Sequence, residues 1–274
     1  MLIGKKHAAK VMGIINVSPE SFYKGSVKIG EVEIAAAAKQ MEQAGAHIID
    51  IGAMSTAPYL ETVIAVEEEI RRMKQAIKTV KNACDMPISA DTPRARVAEE
   101  AIAAGADAIN DVTGLKYDSK MAKIVANAGV TVIAGAYSKT FVTGRIAGTL
   151  KVVRESLAIG KKAKIANVIV DPSIGFFREE GKNPFFTRMT DVPWYIRDIE
   201  VLNNLGKLAE LCPVCISVSR KSFIGHLLNI QAEDRLIPSI ICEAIAVLKD
   251  ASIIRTHSVR ETANALMMLQ LLKL

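Results

Sequence analysis

Short apolar runs alternate with longer amphipathic segments along nearly the whole chain. The apolar runs are rich in Val, Ile and Ala and are too short for core helices, so they predict buried β-strands. These candidate strands are 11–16, 47–51, 88–91, 108–112, 130–134, 168–171, 214–217 and 253–257. Segments with helical periodicity lie between them, for example 31–44, 61–82 and 93–104. At the last of these, Thr92 is a plausible N-cap, with Pro93 in the favoured first turn.

Three helix-to-strand junctions repeat the same pattern. Each of the segments 44–50, 104–110 and 128–134 begins with Ala-Gly and continues as a short run rich in apolar residues. Glycine can take the left-handed conformation that ends a helix, so a strand follows at once. The strand starts are on average about 35 residues apart, as expected for the units of a (β/α)8 barrel. We therefore predict an α/β fold, a TIM (β/α)8 barrel with residues 1–274 as a single domain; a doubly wound open sheet stays possible, because periodicity cannot show closure.

Composition narrows the class of protein. The longest nearly apolar run, 237–248, contains Glu243 and is shorter than the roughly 18 residues that cross a bilayer. With no signal-like N-terminal segment either, we expect a cytoplasmic protein that does not contact membranes.

Four cysteines are too few for a disulfide scaffold, and the Cys212-x-x-Cys215 pair lacks the second pair of a zinc ribbon. We therefore interpret the cysteines as buried thiols.

The formal net charge of +6 fits either nucleic-acid binding or a basic enzyme with an anionic substrate. Aromatic residues make up only 5% of the chain, and no basic run carries interleaved aromatics. Both features disfavour a stacking platform for single strands. We expect small-molecule substrates and no nucleic acid.

Polar residues close seven of the eight candidate strands. They are Asn16, Asp50, Asp91, Asn110, Asp171, Ser217, and Arg255 with His257. Asp50 or Asn110 alone could equally be a helix cap. Because the active site of a parallel barrel lies at the carboxyl ends of its strands, the set as a whole predicts a binding rim.

The rim offers two kinds of chemistry. The carboxylates and amide of Asp91, Asn110 and Asp171 suit a flat, nitrogen-rich ring. Asn16, Arg255 and His257 come from the first and last strands and suit an anion such as a diphosphate. Together they predict a heterocycle attached to a phosphorylated leaving group.

Seven ordered motifs resemble those of dihydropteroate synthases, and they extend over 11–259. They are MGIINVSPESF at 12–22, DIGAMST at 50–56, DT at 91–92, INDV at 109–112, DPSIGF at 171–176, SRKSFIG at 219–225 and RTH at 255–257. This resemblance implies a TIM barrel that joins a dihydropterin-methyl diphosphate to an arylamine, usually 4-aminobenzoate, and releases pyrophosphate.

The resemblance also assigns residues. The pterin would be held by Asp91, Asn110, Asp171 and Lys221. The diphosphate would be held by Asn16, Arg255 and His257, with Mg²⁺ near Asn16. The amine pocket would be bordered by Phe176, Lys221 and Ser222. Ser55, Thr56 and Pro58 would belong to a mobile second loop, and 18–28 would form a first loop that closes over the site. We expect Lys221, Asp91 and Arg255 to carry catalysis.

Three departures from the family pattern fall in the catalytic loops. Lys24 stands where the first loop usually has Asp, and Ala57 replaces the Arg of the second loop. Ala134-Gly135-Ala136-Tyr137 replaces a Met-His pair after the fifth strand. The pterin end is intact and the amine end is altered.

Three functions stay open at this point: a synthase with an unusual acceptor, a methyltransferase of the methyltetrahydrofolate type, and a non-catalytic or nucleic-acid-binding protein. The Ser-Arg-Lys-Ser motif at 219–222 favours a synthase. We predict an acceptor larger than 4-aminobenzoate, such as the ribosyl-phosphate arylamine of archaeal methanopterin-type synthesis, with Lys24, Lys139 and Arg145 near its phosphate. The resemblance further implies a homodimer formed through late helices.

Overall fold

A computed structural model describes residues 9–19, 27–28 and 30–272 of the chain. Its strands are β1 (Lys10–Asn16), β2 (Ile48–Gly52), β3 (Ile88–Asp91), β4 (Ala108–Asp111), β5 (Thr131–Gly135), β6 (Val168–Asp171), β7 (Phe177–Arg178), β8 (Thr187–Arg188), β9 (Cys215–Ile216) and β10 (Ile253–Thr256). Its helices are α1 (Glu31–Gln43), α2 (Val66–Ala83), α3 (Ala95–Ala104), α4 (Met121–Ala128), α5 (Ile146–Ala163), α6 (Trp194–Asn203), α7 (Gly206–Ala209), α8 (Ser222–Leu228), α9 (Leu236–Leu248) and α10 (Val259–Leu271).

Eight parallel strands form the barrel, in the order β6-β5-β4-β3-β2-β1-β10-β9. The ring closes where Val170 of β6 bridges Val214, next to β9. The prediction of a TIM barrel is confirmed, and closure excludes the open doubly wound sheet. β7 and β8 form a separate two-stranded sheet within the long connection after β6, which the hydrophobic pattern did not predict.

All eight predicted strands are present, with bounds shifted by one or two residues at most. The three junction glycines, Gly45, Gly105 and Gly129, have φ values of 92°, 110° and 69°. This left-handed conformation ends each helix as predicted, because glycine alone adopts it without steric cost.

The predicted N-cap of α3 is wrong. The capping residue is Arg94, and the backbone N–H of Ala95 is capped over a long range by Asp118 Oδ2 at 2.9 Å. The hydroxyl of Thr92 instead donates to Glu69 Oε1 at 2.6 Å, a buried carboxylate on α2. That tie to a neighbouring helix outweighs the local capping preference.

Strand periodicity divides the barrel interior into an apolar layer and a polar layer. Met12, Ile133, Cys215 and Ile253 are buried together inside the barrel. Two residues further along a strand, a side chain again points inward, so Arg255 follows Ile253 on β10. The apolar layer therefore supports a polar floor at the carboxyl end of the strands.

Two further observations concern membrane spans and the cysteines. Among the described residues, no helix is long and apolar enough to cross a membrane. Cys215 is buried and Cys212 is half-buried, and burial raises the pKa of Cys212 to about 11. A thiol so far from ionisation at neutral pH fits a packing role.

Candidate active site

A cleft at the carboxyl end of the barrel strands has a volume of about 930 Å³, part of which is open to solvent. Ten of the site residues predicted from the sequence line it: Asn16, Thr56, Asp91, Asn110, Asp171, Phe176, Lys221, Ser222, Arg255 and His257. The other predicted second-loop residues, Ser55 and Pro58, line it too. The structure thus brings both halves of the predicted site into one cavity.

Arg255 lies at the centre of the floor and bridges two carboxylates. Its Nε donates to Asp50 Oδ2 at 2.6 Å, and its Nη2 donates to Asp91 Oδ2 at 2.7 Å. Asn110 Nδ2 donates to the same Asp50 oxygen at 3.2 Å. One network therefore joins a residue predicted for the diphosphate to two predicted for the pterin.

Both carboxylates of this network lie beside Arg255. Burial raises the pKa of Asp91 to about 7; Arg255 opposes this shift, while the nearby Asp50 and Glu69 add to it. Asp50 is fully buried, and its Oδ1 has no hydrogen-bond partner among the described residues. A buried carboxylate of this kind depends on its cation, so Asp50 fixes the guanidinium of Arg255 from below.

Asp171 and Lys221 both line the cleft, and their charges interact. Asp171 Oδ1 accepts from the backbone N–H of Ser173 at 2.6 Å, and burial raises the pKa of its carboxyl. Burial also lowers the pKa of Lys221 to about 8, although Asp171 opposes that shift. Lys221 Nζ lies 4.6 Å from the centroid of the Phe176 ring. The ammonium can therefore contact a ring substrate on one side and an aromatic face on the other.

The segment before Lys221 is held in a strained conformation. Arg220 has a φ of 54°, in the left-handed region that favours glycine. Its guanidinium donates to the carbonyls of Ala232 and Glu233, both at 2.8 Å, and its backbone N–H donates to Ser239 Oγ. Hydrogen bonds to the segment just before α9, and to Ser239 on α9, thus hold the turn from which Lys221 enters the cleft.

His257 directly follows the last residue of β10 and lines the cleft. Its Nδ1 lies 3.2 Å from Ser219 Oγ. Burial lowers the pKa of His257 to about 3, and the positive charges of Arg255, Lys221 and Arg220 add to the effect. The ring is therefore neutral at pH 7, so the positive charge offered to an anion comes from Arg255 and Lys221.

The second loop is tied to the connection after β6. Asn183 Nδ2 donates to the carbonyl of Ala57 at 2.7 Å, and Lys182 N donates to the carbonyl of Pro58 at 2.7 Å. The hydroxyl of Tyr137 donates to the carbonyl of Pro184 at 3.0 Å. Two of the departures from the family pattern, Ala57 and Tyr137, thus lie at opposite ends of one packed unit.

Three residues of this region escaped the sequence analysis: Asn183, Asp198 and Arg178. Asn183 and Asp198 are buried polar side chains that hold loops, and Arg178 Nη2 donates to Ser222 Oγ at 2.9 Å. None closes a barrel strand, so the rule that found the other residues could not find them. The one available signal was the Gly-Lys-Asn-Pro turn at 181–184.

The predicted first loop follows β1, and the predicted magnesium ligand Asn16 is the last residue of that strand. Most of the first loop, including Lys24, lies outside the described residues, although Val27 pairs with Asn16 where the loop returns. The side chain of Asn16 lies over Gly52, where a Cβ would meet its Oδ1 at 3.0 Å. Among the residues that the structure describes, no group of three or more His, Cys, Asp or Glu side chains could hold a metal ion.

Comparison with known proteins agrees with this geometry. The family model described as "Pterin binding enzyme" matches residues 12–257. A dihydropteroate synthase from Clostridium beijerinckii is 38% identical, over 93% of this chain and 91% of its own length. A Coxiella burnetii dihydropteroate synthase solved with pteroic acid is 32% identical, with a TM-score of 0.84 over 99% of this chain and 95% of that one. A Xanthomonas albilineans dihydropteroate synthase solved with 4-aminobenzoic acid is 29% identical, with a TM-score of 0.81 over 97% and 93%.

These relatives favour neither the methyltransferase nor the non-catalytic interpretation of the sequence. Bacillus subtilis dihydropteroate synthase adds a relative that is 34% identical over 94% of this chain and 87% of its own length. The similarity covers the whole barrel together with every strand end that supplies a cleft residue. The chain belongs to the pterin-binding enzymes, and among them it is a transferase of the dihydropteroate synthase family.

Proposed function

We propose that this transferase joins a dihydropterin-methyl diphosphate to 4-aminobenzoate and releases pyrophosphate. One observation carries the proposal: the carboxylates and amide suited to a pterin and the cations suited to a diphosphate share one cleft, joined through Arg255. A substrate that carries both a nitrogen-rich ring and a diphosphate matches that arrangement.

The pterin end binds through hydrogen bonds of fixed polarity. Asp91 and Asp171 offer oxygens that accept from ring N–H groups, and Asn110 offers both an acceptor and a donor. Asp91 and Asn110 are paired across β3 and β4, which sets their spacing. Lys221 adds a donor for a ring oxygen or nitrogen.

The reaction breaks the bond between the pterin methylene and the diphosphate oxygen, which leaves with the electron pair. Positive charge develops on the methylene and negative charge on the leaving group. Arg255 stabilises the leaving group, and the carboxylates under the pterin stabilise the cation through the ring protons. The amine nitrogen then forms the new C–N bond and passes one proton to the departing pyrophosphate or to water. A free arylamine is already neutral at pH 7, so it needs no strong base.

At the diphosphate end, a magnesium ion would take most of its ligands from the substrate and from water, and few from the protein. Mg²⁺ commonly takes one or two protein oxygens and completes its shell with phosphate oxygens and water. Asn16 provides one such oxygen at the end of β1. When bound, the ion would neutralise charge on the departing pyrophosphate.

The identity of the acceptor separates two versions of the proposal. Lys139 and Arg145 were predicted to meet the phosphate of a larger arylamine, but both have local partners. Lys139 Nζ donates to the carbonyl of Tyr117 at 3.2 Å, and Arg145 Nη1 donates to Glu200 Oε2 at 3.0 Å. These contacts favour the smaller acceptor, while the larger one stays the competing prediction.

Steady-state assays with the pterin diphosphate test the proposal. We expect dihydropteroate and pyrophosphate to form from 4-aminobenzoate, with a kcat/KM above that for a ribosyl-phosphate arylamine. A higher kcat/KM for the ribosyl-phosphate arylamine would show that the larger amine is the preferred acceptor. No product from either amine, in the presence of Mg²⁺, would contradict the synthase proposal.

We also propose that the protein is a homodimer. Ile237, Ile241, Met267, Met268 and Leu271 on α9 and α10 are all more than half exposed. An apolar face on two helices in contact fits an interface between copies. Sedimentation equilibrium should give twice the monomer mass of 29.6 kDa, and a monomer at micromolar concentration would contradict the proposal.

A further inference from the structure

Arg178 lies on β7, behind the residues that line the cleft, and is not at the end of a barrel strand. The residue is 9% exposed, and its guanidinium stacks on the ring of Trp194, with the guanidinium carbon 3.9 Å from the ring centroid. Its Nη1 donates to the carbonyl of Phe177 at 3.2 Å. Stacking and hydrogen bonding hold the planar guanidinium in one orientation.

The tip of Arg178 reaches the residues that line the amine end. Its Nη2 donates to Ser222 Oγ at 2.9 Å. The same nitrogen lies 4.0 Å from the point where a Cβ at Gly175 would be, and Lys221 Cδ lies 3.5 Å from that point. Gly175, Lys221 and Ser222 all line the cleft. Arg178 therefore lies directly behind the cleft surface at this end.

The hydrogen bond from Arg178 determines what Ser222 can offer to a ligand. A hydroxyl group has one donor hydrogen and two acceptor lone pairs. Arginine has no acceptor, so the guanidinium occupies a lone pair and leaves the Ser222 O–H free to donate elsewhere. A hydroxyl that accepts from a cation is also a stronger donor in turn.

Arg178 shares a buried carboxylate with a second arginine. Asp198 pairs with Arg197 at 3.1 Å and also interacts with Arg178. Because Asp198 is divided between two guanidinium groups, the buried charge of Arg178 attracts an anion more strongly than a charge at the surface would.

We propose that Arg178 is a positioning residue that makes the acceptor end of the cleft selective for an arylamine carrying a carboxylate, by orienting the Ser222 hydroxyl and adding positive charge behind it. This inference rests on the proposed function, because it concerns the acceptor of that reaction. It also offers a physical reason why Ala57 can stand where the family has Arg: the cation is supplied from β7.

Two acceptors of equal shape test the proposal. 4-Aminobenzoate carries the carboxylate, and 4-aminobenzamide is its neutral counterpart. For Arg178→Gln we expect kcat/KM on the acid to fall about tenfold or more, mostly through KM, and kcat/KM on the amide to change less than about threefold. Arg178→Lys should recover part of the loss, since it restores the charge without the planar fork. Arg188→Gln, on the paired strand β8 and exposed, is the matched control and should change neither acceptor.

Equal losses on the acid and the amide, or no loss on either, would overturn the role of Arg178. The ratio of the two dissociation constants, measured by calorimetry with pyrophosphate present, gives the same test without turnover. The wild-type protein could bind the acid better than the amide and still form no product. That result would contradict the proposed function. The role of Arg178 would then be decided by whether Arg178→Gln changes the ratio of the two dissociation constants. If Arg178→Gln does not fold, judged by its melting transition, the Arg178→Lys ratio decides: an acid-to-amide preference identical to wild type would overturn the proposal.

Discussion

Arg255 Nη2 donates to Asp91 Oδ2 at 2.7 Å, so a residue suited to the leaving group is bound directly to one suited to the pterin. The contact crosses from β10 to β3 through the barrel interior. Binding of the substrate must therefore satisfy both groups at once: the diphosphate takes donors from Arg255 while the pterin N–H groups take over Asp91. Binding of the diphosphate to Arg255 frees Asp91 for the pterin, and binding of the pterin to Asp91 frees Arg255 for the diphosphate.

The first prediction concerns Asp171. Replacing it by alanine should weaken pterin binding tenfold or more, about 1.4 kcal/mol, because ring N–H groups lose their acceptor in a buried site. Isothermal titration calorimetry measures the effect. Asp85→Ala, in an exposed position before β3, should bind pterin as the wild type does. Unchanged affinity in Asp171→Ala would show that the pterin binds elsewhere.

The second prediction concerns the geometry of Arg255. Arg255→Lys keeps a positive charge but cannot reach Asp50 and Asp91 in a planar fork. We expect the affinity for pyrophosphate to fall about tenfold, with the helical content retained. Arg96→Lys, whose exposed side chain pairs with Glu67, serves as the control. If Arg255→Lys binds pyrophosphate as tightly as wild type, the guanidinium is not part of the anion site.

The third prediction is a narrow pH optimum. Asp91 carries the negative charge that stabilises the developing cation only when ionised, so kcat/KM for the pterin diphosphate should rise as pH increases through about 7. Lys221 carries its positive charge only when protonated, so kcat/KM should fall as pH increases through about 8. The Asp91→Asn variant should lose the rise on the acidic side. An acidic limb that persists in that variant would belong to the substrate and not to Asp91.

The fourth prediction concerns stability at a distance from the cleft. Glu243 is fully buried on α9, accepts from Thr262 Oγ1 at 2.7 Å, and has its pKa raised by burial from 4.5 to about 7. The folded protein thus holds this proton more tightly than the unfolded chain does, so stability declines as pH rises from about 4.5 to about 7.

Glu243→Gln removes that decline. The free energy of unfolding of the variant, relative to wild type, should increase by up to about 3 kcal/mol between pH 4.5 and pH 8. Urea unfolding at several pH values measures it, with Glu99→Gln, an exposed position on α3, as the control. A difference that does not vary with pH would mean that Glu243 does not titrate in this range.

The barrel and its polar floor were predictable because both follow from local periodicity. Asp91 and Asp171 each end an apolar run, and the alternation of a strand places them on the inner face wherever the barrel closes. The pairing of Arg255 with Asp50 was not predictable, because it joins residues 205 positions apart through side-chain packing. Arg178 escaped for another reason: it lies on a two-residue strand within a long connection, where no periodic pattern exists.

A crystal structure with a hydroxymethyl-dihydropterin and pyrophosphate tests the central claim most directly, because it locates both halves of the substrate without depending on the acceptor. We expect the pterin ring to bind among Asp91, Asn110, Asp171 and Lys221, and pyrophosphate to contact Asn16, Arg255 and His257. Pyrophosphate bound elsewhere at saturation, with Arg255 still bridging Asp50 and Asp91, would contradict the assignment of the cleft.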